Sequence, residues 1–378
     1  MTWKILPRSY IPIITFIITT LSSTYSFPVI FRKSFKNSTS KKSYVHQLIF
    51  LLFQLNEFCH VFMILEWFYI QKSSHQPLWK SVMMTYFLAS ISIISIAKWI
   101  LFRRQNEVKV LVEQALELER VANGQLSSSQ VRLVPIMICA VLVASSAIIP
   151  SAIFVLVLWR PCMPPLISMG LKKCTSWSGS GGLSFLEKLG IAFFEAFSWW
   201  DLGGAVVVAL TSLIVYPAVI EEMWVEVVER KLRAYPSYNA TEYRRAECLL
   251  NLHTYVVGKP FMSMILGGSM MCEISSLYIL ISSIQELPLP VALFFSVICI
   301  DFVIIIHFLF KSLCRPYLAS VEFMRNAKGR KNSKWLEKFL ISCTPLKLTM
   351  GGGNFYDRLT SLEIWKVCVD QVVNLLLM

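Results

Sequence analysis

The sequence predicts an all-α membrane protein of seven transmembrane helices, with the N-terminus cytoplasmic, the C-terminus extracellular and the helices extended into the cytoplasm. Three observations carry that class. Of 378 residues, 55% are hydrophobic and 16% charged, and the mean hydropathy of +0.58 lies outside the range of soluble globular domains. Apolar stretches of about 20 residues, the length that crosses a bilayer, recur along the chain. Finally, Lys and Arg alternate between the intervening segments: 32–43, 98–132, 221–260 and 311–359 hold 27 of them, against 6 in 71–81, 160–188 and 285–288. Positive residues stay cytoplasmic, so the alternation sets an orientation opposite to that of a G-protein-coupled receptor.

In order along the chain, 1–43 reads as a cytoplasmic or membrane-associated segment. Its apolar part, 10–31, is interrupted by Pro12, Pro28 and a Ser/Thr cluster over 19–26. No small-residue cleavage site follows a compact apolar core, which argues against a signal peptide. The main domain, 44–378, carries spans near 44–70, 82–102, 133–159, 186–218, 261–284, 289–311 and 360–378. The outer loops are short except 160–185, which is rich in Pro, Gly and Ser and suits a cover over an outer cavity. Residues 219–235 mix Glu, Arg and Lys with Met, Trp and Val at helical spacing, so the fourth and fifth spans are expected to continue inward as helices. Residues 311–344 extend the pattern, with a basic run (Lys328, Arg330, Lys331, Lys334) and an amphipathic stretch over 335–341. No internal repeat is visible, against the inverted-repeat transporters.

The net charge of +13 resides mostly in the inner segments, where the anionic leaflet accounts for it; no nucleic-acid partner is expected. Ten cysteines are scattered without a CxxC pair or a Cys/His cluster at metal spacing, so no metal and no cofactor are expected. Cys162 and Cys174 share the long outer loop, where a disulfide is chemically allowed. The glycosylation sequons at Asn37 and Asn239 fall in inner segments and are expected to be unused. P-loop, GxSxG and HExxH motifs are absent, and the chain does not read as an enzyme.

Ionisable residues inside spans carry the most weight, because each is expensive there. They are Glu57, His60, Glu66, Glu195, Asp201, Glu273, Asp301, His307 and Asp370. Glu57 and His60 share a helix face and read as a hydrogen-bonded pair or, alternatively, a proton site. On the outer halves of the fourth, fifth and sixth spans, Glu195, Trp199, Trp200, Tyr278 and Phe295 form a candidate ligand pocket, apolar with few polar groups; an interfacial aromatic belt is the competing reading. In the last span Gln371 and Asn374 lie three apart and Asp370 and Asn374 four apart, so one face is polar, beside Leu375. That stripe must meet protein or water. It suits a polar pore ring with Leu375 as an apolar gate and Asp370 at the rim or paired with a neighbouring helix, or polar contacts between helices.

The run Pro345, Leu346, Lys347, Leu348, then Gly351 to Gly353, Asn354 and Phe355, then a last span from Thr360 in a polar–apolar pattern, resembles the C-terminal signature of the arthropod gustatory and odorant receptor superfamily. Ser333 and Trp335 upstream fit loosely. Motif similarity covers about the last fifty residues; the order and length of elements match over the whole chain. The resemblance implies a tetrameric, ligand-gated, non-selective cation channel for small organic tastants or odorants, in the plasma membrane of sensory neurons. It implies a ligand pocket in each outer bundle, a pore lined by the last helices, and homo- or hetero-tetramers of related subunits within the bilayer. Gustatory members usually end in a Thr-Tyr pair followed six residues later by Phe, with Gln just before it. Aligning Asn374 with that Gln places Leu375 at the Phe but Val367 and Cys368 at the Thr-Tyr pair, so the motif is not met. The chain reads as gustatory-like. A G-protein-coupled receptor, disfavoured by orientation and by missing DRY and NPxxY motifs, and a small-molecule transporter are the alternatives.

Overall fold

The structure, a computed structural model, describes residues 9–23, 40–71, 77–125, 133–163, 165–168, 177, 182–234, 240–328, 334–350 and 353–377. Cys174, Asn37, Asn239, Arg330, Lys331, Ser333, Gly351, Gly352 and Met378 lie outside them. Among the described residues the chain is helical apart from short turns and one isolated antiparallel bridge, Thr349 to Phe355. The helices are α1 (Ile11–Ser23), α2 (Ser40–Gln71), α3 (Leu78–Arg103), α4 (Gln105–Gln125), α5 (Leu133–Trp159), α6 (Phe185–Val208), α7 (Tyr216–Ala234), α8 (Tyr243–Val257), α9 (Phe261–Ser283), α10 (Leu289–Ile304), α11 (Phe310–Leu313), α12 (Arg315–Lys328), α13 (Lys334–Ser342) and α14 (Thr360–Leu377). Two π-helical stretches, Ala209–Val215 and Ile305–Leu309, join α6 to α7 and α10 to α11.

Among the described residues six helical segments are long and apolar enough to cross a membrane: Gln47–Tyr69, Leu78–Arg103, Leu133–Trp159, Phe185–Ala234, Phe261–Ser283 and Leu289–Lys328. The seventh expected span coincides with α14, which is more polar because Glu363, Lys366 and Asp370 fall within its 18 residues. Helix α1, at 13 residues, reaches only about 20 Å, short of a hydrocarbon core about 30 Å thick. The inward extensions differ in one respect from expectation. The fourth span continues unbroken to Ala234, but the fifth does not: α8 and α9 are separated at 258–260, where Pro260 lacks a donor and restricts its predecessor. The sixth span extends to Lys328, within the stretch expected to continue the pattern. A capping box starts α6, with Ser184 Oγ accepting from Glu187 N and Glu187 Oε2 accepting from Ser184 N.

The helices enclose two cores among the described residues, labelled inner and outer after the orientation that the charge pattern predicts. The inner one joins α4, α7, α8, α12, α13 and the 343–356 segment around Trp224, Tyr243 and Phe323. Tyr243 stacks on Phe323 at 5.3 Å between centroids, and its hydroxyl donates to Thr344 O at 2.7 Å. Helix α1 is pinned there by Glu119, whose carboxylate accepts from Ser9 Oγ, Tyr10 N and Tyr216 Oη. The outer core joins α2, α3, α5, α6, α9 and α10. Helix α14 lies along α9.

Candidate ligand and permeation sites

The outer core is aromatic. Trp199 of α6 meets Phe87 of α3 at 5.7 Å and Phe294 of α10 at 5.8 Å, both edge to face. Phe295 meets Tyr86 at 5.3 Å and Phe294 at 5.2 Å. These are the offset and perpendicular geometries that ring quadrupoles favour. Tyr278 is buried in the same core. Beside the cluster lies a small apolar gap of about 10 Å³ lined by Met83, Phe87, Ile153, Leu156, Met163 and Phe294, among others. Met163 belongs to the outer loop, so that loop forms one wall. Trp199, Tyr278 and Phe295 are therefore brought together, with Trp199 flanking two lining rings.

The remaining two of the five expected ligand residues behave differently. Trp200 points toward the inner core. Glu195 is fully buried but already engaged: one oxygen accepts from Ile167 N at 2.5 Å, the other meets His60 Nε2 at 3.3 Å. It ties the outer loop and the first span to α6. Phe193, Phe194 and Phe197 are exposed and take no part in the buried cluster. Tyr86, Phe87 and Met83, on the second span, were missed. The signal was a pair of adjacent aromatics two turns inside that span's outer end.

Below the aromatic cluster is a buried ionic group. Lys98 Nζ lies 2.5 Å from Glu57 Oε1 and 2.5 Å from Asp201 Oδ2, with all three side chains at most 3% exposed. Ser95 and Gln54 also donate to Glu57 Oε2. Glu57 and His60 thus share a face but not a bond: Glu57 turns to Lys98, while His60 bonds Asn56 O and Glu195. Lys98, counted with the inner loop by sequence, sits within α3 because two carboxylates from neighbouring helices compensate its charge; a buried ammonium without them is prohibitive.

On α14, Thr360, Ser361, Ile364, Cys368 and Val372 are buried. Asp370, Gln371 and Asn374 are exposed, so the polar stripe faces away from its own subunit. Leu375 is half-buried and packs against the outer core. Upstream, Met350 N donates to Asn354 O and Tyr356 N to Leu348 O, and Gly353 sits at φ +93°, a conformation costly for any other residue. Lys347 Nζ lies 4.6 Å from the Phe355 ring centre. Cys162 is disulfide-bonded; Cys174, its expected partner, is outside the described residues. Among the described residues no group of His, Cys, Asp and Glu has the arrangement of a metal site.

No family model and no curated protein sequence matches the chain. Solved structures do. The insect olfactory receptor OR5 from Machilis hrabei superposes with a TM-score of 0.67 over 97% of both chains at 10% identity. The same receptor in complex with eugenol gives 0.64 over 97% of both chains, again at 10% identity. The chain has the insect olfactory receptor fold. Within that fold the aromatic cluster is enclosed inside the chain, whereas the α14 stripe is a polar surface that the chain leaves uncovered.

Proposed function

We propose that the protein is a chemosensory receptor of the gustatory-like type, a ligand-gated non-selective cation channel assembled as a homo- or hetero-tetramer with related subunits in the plasma membrane of sensory neurons. The observation that carries the reading is α14: a helix exposing Asp370, Gln371 and Asn374 on a chain whose other long helices suit the bilayer. Such a face needs water or other protein against it, and four copies around an axis supply both. Amides replace part of a cation's hydration without binding it tightly, and Leu375 at the edge of the stripe supplies an apolar constriction that closes by excluding water. The 27-to-6 distribution of Lys and Arg supports an inner N-terminus and an outer C-terminus. The protein acts by conduction, not catalysis.

The ligand in this reading is a small organic molecule in the aromatic enclosure, where Trp199, Phe294, Phe295, Tyr86 and Phe87 offer π-faces and few hydrogen bonds. The complex of the OR5 relative with eugenol supports that class. Tyr278 backs the enclosure, Glu195 holds the loop that closes it, and Trp200 acts from behind. Whole-cell recording with G-protein signalling blocked is the test, combined with cysteines placed at 371 and 374. Ligand-evoked cation current should persist under the block, and thiol reagents should reduce it. A response abolished by the block, or cysteines that are never modified in open channels, would overturn the reading.

A further inference from the structure

A second cavity lies away from the aromatic enclosure. It is an apolar cleft of about 120 Å³ between α3, α6, α9 and α10. Small side chains open it: Ala97 on α3, Ala205 and Ala209 on the fourth span, Gly268 and Ser269 on α9. Both π-helical stretches begin at its floor, since Ala209 and Ile305 are lining residues. Such bulges are uncommon and concentrate at functional positions.

The chemistry of the cleft restricts what fills it. Its polar side chains are already satisfied. Lys98 is held by Glu57 and Asp201, Ser269 Oγ donates to Ile265 O at 2.7 Å, and Ser90 Oγ pairs with Cys272 Sγ at 3.5 Å. An occupant gains nothing from a hydrogen-bonding group. An empty apolar space of this size forfeits dispersion contacts, and membrane hydrocarbon is at hand: all four walls belong to helices suited to the bilayer, and Ile96 and Val303 beside the cleft are exposed. The length fits as well. The lining runs from Ser90 to Leu101 on α3 and from Phe261 to Cys272 on α9, about 16 Å on each helix at 1.5 Å per residue. One leaflet of a hydrocarbon core about 30 Å thick measures about 15 Å. At the end of the cleft marked by Leu101 and Phe261, α3 carries Arg103, stacked on Trp99 at 5.6 Å, and the exposed Lys259 lies in the turn just before α9. Basic residues there complement an anionic headgroup.

We infer that this cleft is a structural lipid site, holding one acyl chain of an anionic phospholipid whose headgroup lies at Arg103 and Lys259. The inference rests on the membrane character of the helices and not on the channel reading, because its test requires no ligand response. Full-length protein is reconstituted in nanodiscs with a phosphatidylglycerol carrying a diazirine at mid-chain, irradiated, and mapped by peptide mass spectrometry. Adducts are expected on the peptides containing Ile94, Met264 and Ile265. They are lost in Ala97→Phe, which fills the cleft. If that variant does not fold, Gly268→Val is used; its added Cβ would meet Ile93 at an ordinary 3.4 Å. Arg103→Ser with Lys259→Ser removes the preference for phosphatidylglycerol over phosphatidylcholine carrying the same probe. Labelling confined to outward residues such as Ile96 and Ile300, or unchanged in the filled variant that folds, overturns the site. Equal labelling by both lipids in the unmodified protein overturns the headgroup assignment. A photoreactive side chain at position 94 that captures a second copy of the chain instead of lipid overturns the occupant.

Discussion

The inner and outer halves of this molecule are built from the same long helices, yet their cores differ. The inner core encloses Trp224, Tyr243, Phe310 and Phe323 fully, and the polar tips of Trp224 and Tyr243 reach backbone carbonyls. It also holds the segment leading into α14, since Glu247 accepts from Thr344 and Ser320 accepts from Leu346 N. The outer core is more aromatic, leaves a gap beside Phe87 and Phe294, and has a loop residue, Met163, as one wall. An interior close-packed like a crystal transmits displacement. In the reading proposed above, the difference divides the labour: the inner half fixes α14 and the outer half receives the ligand.

The sharpest way to break that contrast is truncation on each side. Trp224→Ala removes a fully buried ring and its hydrogen bond to Glu242 O, and large-to-small changes of this kind cost about 3–5 kcal/mol. The expected outcome is loss of a monodisperse peak in detergent size-exclusion and little surface expression. Ile153→Val, at the outer gap, costs about 0.5–1.5 kcal/mol. It should leave folding intact while shifting the ligand dose–response. Equal effects of the two on thermal stability would erase the distinction.

The boundary between the halves is the Lys98 group, and it gives the next largest effect. Lys98→Met leaves Glu57 and Asp201 buried without their cation; breaking a buried pair costs about 3–5 kcal/mol, whereas replacing all members by neutral groups is often tolerated. Thermal unfolding of Lys98→Met should therefore fall well below that of the triple variant Glu57→Gln, Lys98→Met, Asp201→Asn. If the triple variant is the less stable, the three residues act separately rather than as one group.

Most of the fold was legible from apolar length alone, because a membrane helix needs its backbone satisfied internally and advertises this as a continuous apolar run. The helices stop where the apolar run gives way to charge, as α3 does at Arg103. The polar stripe of α14 was legible too, since spacing three and four defines a face. The gap was not. Tyr86 and Phe87 near a span end look the same in sequence whether they meet lipid or each other; only the approach of α10 and α6 decides. Lys98 was misplaced for a related reason: a cation near a span boundary reads as a loop residue until the carboxylates facing it are known.

The smallest expected effect sharpens the link from the inner half to α14. Asp357 Oδ1 accepts from Leu359 N at 3.0 Å, Thr360 N at 2.8 Å and Thr360 Oγ1 at 2.8 Å, capping the turn that enters α14. The hydrogen bond from the Thr360 side chain, followed by those from the backbone, holds the Asp357 carboxyl below the ordinary carboxylate range. The sign follows: a group with a depressed folded pKa stabilises above its unfolded value, near 3.9, and that contribution is lost as pH falls through the folded value. Asp357→Ala should cost about 1 kcal/mol, the usual worth of such a cap, in the protein at neutral pH. The difference in melting temperature between the two proteins should stay constant from pH 7 to well above the aspartate range and shrink below it. A difference that grows on acidification would mean that Asp357 does not act as the ionised cap of α14.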